Sequence, residues 1–126
     1  MFANSKAFSG FAVDDLRQAQ AFYGETLGLK TSLIPEADGL LTLHLAGDRD
    51  TLVYEKSDLE PANYTILNFQ VNDIDTAVDD LAARGVAFER YEGFEQDEKG
   101  IARGQGPAIA WFKDPAGNIL SVLEQS

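Results

Sequence analysis

His44 is the only histidine in this 126-residue chain, and there is no cysteine. Nucleophilic sites of the Ser–His–Asp or Cys–His kind need a base beside the nucleophile, so the sequence offers little from which to build one, and we predict none. Two side chains remain as candidate general bases, His44 and Glu55. The alternative for His44, and the commoner case for a lone histidine, is a residue on the surface of a strand. No glycine motif that would cradle a phosphate precedes a helix.

The composition disfavours several classes of partner. Ten Lys and Arg stand against 21 Asp and Glu, a formal net charge of −11. Such a field repels nucleic acid and favours cationic small molecules, or serves solubility alone. No apolar run approaches the roughly 20 residues of a membrane helix, and the first ten residues do not resemble a secretory signal. We therefore expect a cytoplasmic protein with no nucleic-acid or membrane partner.

An internal repeat organises the chain. The segment Phe8–Leu16 reads apolar-x-x-Phe-x-Val-x-Asp-Leu, and Ile66–Ile74 repeats it 58 residues later with Ile at the end. Alternating apolar positions predict a half-buried strand, and Asp15 and Asp73 then stand where a helix N-cap is required. Helical apolar patterns follow and end near Gly28 and Gly85, since glycine suits the left-handed closure of a helix.

Further strands follow each predicted helix, so each half is a βαβββ unit. A single unit has one apolar sheet face that it cannot bury alone, which favours pairing of two units. We predict one α+β domain spanning residues 1–126, with module one at about 5–58 and module two at about 63–126. Asp114-Pro-Ala-Gly-Asn118 has the composition of a hairpin turn. The strands predicted by composition are Leu40–Leu45, Thr51–Tyr54, Val86–Tyr91, Ala108–Phe112 and Ile119–Leu123.

The doubled unit resembles the vicinal oxygen chelate superfamily, which contains glyoxalase I, bleomycin-resistance proteins and extradiol dioxygenases. Phe22-Tyr23 followed by Leu27-Gly-Leu29, and Phe112-Lys-Asp-Pro-Ala-Gly-Asn118 before the last strand, carry the resemblance together with Val13-Asp-Asp-Leu16 and Val71-Asn-Asp-Ile74. It covers essentially the whole chain. It implies two βαβββ modules in tandem whose sheets curl around a ligand cup, and a homodimer.

Metal-binding members of that superfamily place four ligands, usually His and Glu, on the first and last strands of each module. The resemblance puts Phe8, Val53, Ile66 and Ser121 at these positions, with Val53 uncertain by one or two residues. Three of these side chains are hydrocarbon, whereas divalent metals require imidazole, carboxylate or similar donors. Glu55 could restore one ligand at most. We therefore predict no metal site and no cofactor.

Strand alternation then selects the residues that line the cup. Trp111 could be plain core instead, and Asn68 and Gln70 could satisfy each other rather than a ligand. The predicted lining has an apolar part, Phe8, Val53, Ile66, Ile109 and Trp111, and a polar part, His44, Glu55, Asn68, Gln70 and Ser121.

The segment 93–107 is long, polar and rich in glycine. Loops of this length in a compact domain are often lids or binding loops. Phe94 could cap an apolar ligand and Arg103 could pair with an anionic one. The alternative is a solvated surface loop.

Three functions follow from these observations. The first is metal-free binding of a small aromatic or cationic compound, in the manner of bleomycin-resistance proteins. The second is a metal-independent isomerase or lyase that uses His44 or Glu55. The third, a diverged glyoxalase-type metalloenzyme, is disfavoured by the residues at the four ligand positions.

Overall fold

The computed structural model describes residues 1–34 and 39–125, which form two compact units, Met1–Glu60 and Pro61–Ser126. The described residues of the first unit form one helix, continued by a π-helical turn, and four strands. Its elements are β1 (Gly10–Val13), α1 (Leu16–Ala21), the π-helical turn (Phe22–Thr26), β2 (Lys30–Leu33), β3 (Leu40–His44) and β4 (Thr51–Glu55).

The second unit repeats the same order of elements. The predicted α+β class with two βαβββ units is therefore confirmed. The elements are β5 (Thr65–Val71), α2 (Ile74–Ala83), β6 (Phe88–Glu89), β7 (Ile109–Lys113) and β8 (Ile119–Glu124).

Both sheets have the same topology. The strand orders are β1-β4-β3-β2 and β5-β8-β7-β6, with the first and last strand of each unit parallel and the other pairs antiparallel. The second strand of each unit differs from expectation. β2 has the polar sequence KTSL and was not predicted, while β6 covers only two residues of the predicted strand 86–91.

The two aspartates of the repeat begin the two helices as predicted. A side-chain oxygen of Asp15 accepts a hydrogen bond from the Gln18 N–H at 3.1 Å, and Asp73 accepts one from the Thr76 N–H at 3.2 Å. Each carboxylate thus satisfies one of the backbone donors that a helix start leaves free. In the first unit the Leu27 N–H then bonds to the Phe22 carbonyl oxygen at 2.9 Å, which widens the last turn into a π-helix.

One face of each sheet packs under the helix of its own unit. In the first unit, Val53 lies beside Phe11 and Leu41 on this helix-side face, and the Phe11 ring lies 5.7 Å from that of the fully buried Tyr23. In the second, the Ile74 N–H donates to a Glu124 carboxylate oxygen at 3.0 Å, which ties the start of α2 to β8. The buried apolar residues of this second core are Ile74, Val78, Ala110, Phe112, Leu120 and Val122.

Candidate functional site

Several of the candidate site residues lie on the sheet faces that point away from the helices. We call the face of the β5-β8-β7-β6 sheet opposite α2 the second open face. Across it, Asn68 lies opposite Ser121, and Ser121 opposite Trp111. Ile109 and Gln70 both pair with Leu123 on the same face.

A short hydrogen bond fixes the middle of this face. The Ser121 hydroxyl donates to the Asn68 side-chain oxygen at 2.6 Å, and Ser121 is fully buried. Asn68 is therefore held by Ser121 rather than by Gln70, which was the alternative considered from sequence. The amide nitrogen of Asn68 remains as a donor on the exposed side of the pair.

Three aromatic rings, Tyr91, Phe94 and Trp111, form what we call the aromatic cluster. The Trp111 ring lies 5.5 Å from Tyr91 at an interplanar angle of 78° and 4.9 Å from Phe94 at 60°. Trp111 is 9% exposed, whereas Phe94 is 42% exposed. The cluster thus has a packed centre and one ring that is partly open to solvent.

The hydroxyl of Tyr91 is buried and has no hydrogen-bond partner among the described residues. Burial, and secondarily the negative charge of Glu89, raises the pKa of Tyr91 above its ordinary value of 10.0. The group is consequently a protonated donor at neutral pH. Within the described residues its bonding capacity is unused, and a buried water molecule is the kind of partner that would satisfy it.

Replacing Tyr91 by phenylalanine is expected to leave the free protein as stable or to stabilise it by about 1 kcal/mol, because it removes a donor that folding strips of water without replacement. Chemical denaturation of the wild type and Tyr91→Phe measures the difference. A clear loss of stability in Tyr91→Phe would show that the hydroxyl is bonded in the folded protein.

A cleft of about 270 Å³ adjoins the aromatic cluster. Phe94 belongs to both, and Ile109 connects the cleft to the second open face. The walls of the cleft are formed by residues 93–95, by residues 102–105 and by Ile109. The volume is slightly below the usual range for ligand pockets, so the cleft suits one ring system or the edge of a larger compound.

The predicted loop 93–107 is anchored in its central part. The Gln96 side chain accepts from the Tyr91 N–H at 2.9 Å and donates to the carbonyl oxygens of Glu89 and Gly100 at 2.9 and 2.7 Å. Ala102 exchanges two backbone hydrogen bonds with Ile109 at 2.8 and 3.1 Å. A lid that moves as a whole would break these bonds.

Arg103 lines the cleft, but its charge is already engaged. Its guanidinium nitrogen lies 3.1 Å from both carboxylate oxygens of Asp75 on α2 and 3.6 Å from Asp97. Asp75 raises the pKa of Arg103, and Arg103 in turn lowers that of Asp75. An anionic ligand at Arg103, as the sequence suggested, would have to compete with Asp75.

The first open face is the face of the β1-β4-β3-β2 sheet opposite α1. Two of the residues predicted to lie on it do not. Val53 and Glu55 pair with Phe11 and Val13, and Val53 is fully buried. They therefore belong to the helix-side face, not to the cup lining, and the predicted register of β4 was wrong. Leu52 instead pairs with Gly10, which lies 58 residues before Asn68, so Leu52 is the counterpart of Ser121.

Two more predicted positions lie at strand margins. Phe8 precedes β1 and is 73% exposed. Ile66 lies at a bulge of β5, where the register with β8 shifts between Thr65 and Leu67, and it is half-buried. Whether either contacts a ligand stays a prediction.

His44 has partners at both ring nitrogens on the first open face. Its Nε2 lies 2.8 Å from the Ser32 hydroxyl oxygen and its Nδ1 lies 3.1 Å from Asp50 Oδ1. The expectation that no Ser–His–Asp arrangement could form was therefore wrong, because neither Ser32 nor its strand was recognised. Glu55, the other candidate base, lies at the far end of β4 from Asp50 and on the opposite face, so the two bases do not share a site.

The residues at the four ligand positions do not fit a divalent metal ion. After correction these are Phe8, Leu52, Ile66 and Ser121, three hydrocarbons and one hydroxyl that is bonded to Asn68. Within residues 1–34 and 39–125, no three His, Asp or Glu side chains are grouped so that they could hold a metal ion. That the purified protein carries no stoichiometric metal stays a prediction.

The sequence profile of the Glyoxalase/Bleomycin resistance protein/Dioxygenase superfamily matches residues 7–122. The chain belongs to this superfamily, as the motifs and the doubled unit indicated. Among curated proteins, no sequence matches the chain. No helix in the described ranges has the length and apolar character that crossing a bilayer requires.

Solved structures share the fold at low sequence identity. TnmS3, an antibiotic binding protein from Streptomyces sp. CB03234, is 22% identical, with a TM-score of 0.71 over 98% of each chain. The genomically encoded fosfomycin resistance protein FosX from Listeria monocytogenes is 15% identical, with a TM-score of 0.70 over 98% of this chain and 94% of its own. A glyoxalase family protein from Enterococcus faecalis is 21% identical, with a TM-score of 0.67 over 98% and 100%.

Proposed function

We propose that the protein binds a flat aromatic small molecule, without a metal ion, at the aromatic cluster and the adjoining cleft. The observation that carries this proposal is the half-exposed Phe94 ring packed 4.9 Å from Trp111 on the second open face. The likeness to an antibiotic binding protein supports a binding role through the shared fold.

The chemistry of the surrounding residues narrows the ligand. The exposed Asn68 supplies a hydrogen-bond donor beside the rings, so a planar compound with a carbonyl or ether oxygen at its rim would satisfy it. The net charge of −11 favours a neutral or cationic compound over an anion. A homodimer and a cytoplasmic location remain proposals that rest on the resemblance and on composition.

The test is a thermal-shift screen with planar aromatic antibiotics and cationic dyes, followed by titration of Trp111 fluorescence, since Trp111 is the only tryptophan. A compound that binds the folded state raises the melting temperature. Phe94→Ala is expected to weaken binding about tenfold or more, because it removes an aromatic ring on which the ligand would stack. Phe2→Ala is the matched control, because Phe2 is a 75% exposed phenylalanine in the first unit.

Binding that is equally weakened by both variants, or that is unchanged in Phe94→Ala, would contradict the proposed site. The same titration after dialysis against a chelator is expected to give the same affinity. A loss of binding that returns with added divalent metal would overturn the metal-free part of the proposal.

A metal-independent isomerase or lyase is the second candidate function. The bonds from Ser32 and Asp50 to His44 support it, because they orient an imidazole on an open sheet face. Glu55 no longer contributes to this candidate. The test is exchange of the proton of a substrate that has an acidic C–H bond. Loss of this exchange in His44→Gln would support the function, and unchanged exchange in that variant would contradict it.

A further inference from the structure

Two hydrogen bonds on the first open face link Ser32 to His44 and His44 to Asp50. Ser32 lies on the edge strand β2, His44 on the neighbouring β3, and Asp50 directly before β4. The His44 side chain is 34% exposed and that of Asp50 56%, so the imidazole is partly shielded while the chain of groups stays accessible. Three segments of the first unit must fold together to create this arrangement.

We infer that Ser32, His44 and Asp50 form a nucleophilic triad that reacts with activated carboxylic esters. In the tautomer with hydrogen on Nδ1, the ring donates to Asp50 at 3.1 Å and Nε2 accepts the Ser32 hydroxyl proton at 2.8 Å. These are the roles of base and orienting carboxylate in serine acyl transfer. The order of contacts, nucleophile to Nε2 and carboxylate to Nδ1, is the one that the chemistry requires.

The reaction balances without any further cofactor. The Ser32 oxygen attacks the ester carbonyl carbon while His44 Nε2 takes the hydroxyl proton, and the bond to the leaving group breaks to give an acyl-serine. The proton leaves with the departing alcohol or phenol. Water then attacks the acyl-serine with His44 again accepting a proton, which releases the carboxylic acid and restores the Ser32 hydroxyl.

The position of Ser32 defines the substrate class. The Ile34 N–H bonds to the Leu40 carbonyl oxygen, so the alternation of an antiparallel pair directs the Leu33 N–H away from β3 at the sheet edge. Of the described strand β2, the Leu33 N–H is the backbone donor next to Ser32 that faces away from β3, and one such donor provides limited stabilisation for a developing oxyanion. Esters with good leaving groups, such as aryl esters, need the least stabilisation and are therefore the expected substrates.

The experiment uses p-nitrophenyl acetate with the full chain. Release of p-nitrophenolate is followed by absorbance, and the acetylated residue is located by peptide mass spectrometry after acid quenching. We expect acetylation at Ser32 and a fall in release rate of about tenfold or more in each of Ser32→Ala, His44→Gln and Asp50→Asn, in keeping with the usual contribution of a positioned base. Ser57→Ala is the matched control, since Ser57 is an exposed serine outside the cluster, and its rate is expected to equal that of the wild type.

Acetylation at another residue, a Ser32→Ala rate equal to that of Ser57→Ala, or acetylation of Ser32 that persists unchanged in His44→Gln would each overturn the triad. Circular dichroism of every variant separates loss of reactivity from loss of fold. All three residues lie at exposed or half-exposed positions, so folding is expected to survive each change.

Discussion

Replacing Val122 by aspartate is expected to unfold the protein or to lower the free energy of unfolding by about 3–5 kcal/mol, because an unpaired charge would be buried. Val122 is 3% exposed and lies on the helix-side face of β8, where it pairs with Phe69 and Ala110. The nearby carboxylate of Glu124 already accepts from the Ile74 N–H and would repel a second negative group. Domains of this size have a total stability of only about 5–15 kcal/mol.

The matched control is Leu123→Asp, one residue further along β8. Leu123 is half-buried on the second open face, opposite Ile109 and Gln70, so a carboxylate there can reach water. Its expected cost is about 1–2 kcal/mol. Urea denaturation of both variants measures the difference. Equal losses would show that the two-residue alternation of β8 does not separate a helix-side face from an open one.

The sequence could predict those features whose cause is local. Asp15 and Asp73 cap their helices because a short acidic side chain after a strand accepts from the third N–H that follows. The pairing of Trp111 with Ser121 on one face follows from a turn of known length and strict alternation along two strands. Such features depend on residues a few positions apart, and composition indicates them.

The errors arose where the register depends on distant residues. β4 pairs in parallel with β1 across some 40 residues of chain, and no turn between them sets the register, so the face of Val53 could not be read from its own sequence. Alternation inside Thr51–Glu55 fits either face, because Leu52 and Val53 are both apolar. Only the pairing of Val53 with Phe11 and Leu41 decides it.

The triad was missed for a related reason. The β2 sequence KTSL contains only one large apolar residue. This composition suits an edge strand, in which Ser32 and Leu33 are exposed. Without β2, Ser32 had no predicted position relative to His44, although the two are only 12 residues apart. A polar edge strand beside a strand that holds the only histidine is a signal worth testing in similar sequences.

The turn between β7 and β8 is expected to contribute strongly to stability through one buried carboxylate. Asp114 is 4% exposed, and its side-chain oxygens accept from the Ala116 N–H at 3.0 Å, the Asn118 N–H at 2.9 Å and the Asn118 side-chain amide at 3.1 Å. Asn118, itself 2% exposed, accepts from the Ala62 N–H at 3.3 Å and so joins the turn to the segment before β5.

Asp114→Ala is therefore expected to lower the free energy of unfolding by about 2–4 kcal/mol, because it leaves several buried donors without an acceptor. The free energy of unfolding of Asp114→Asn should fall between those of Asp114→Ala and the wild type. The asparagine keeps one acceptor oxygen, but its nitrogen faces the Asn118 amide. Asp58→Ala is the control: Asp58 is an exposed turn residue paired with Lys56, and surface pairs of this kind rarely contribute measurably. Guanidinium denaturation of the three variants gives the order. If Asp114→Ala were as stable as Asp58→Ala, the hydrogen bonds of the turn would not contribute to folding, and the hairpin would be held by the apolar pairs of β7 and β8 alone.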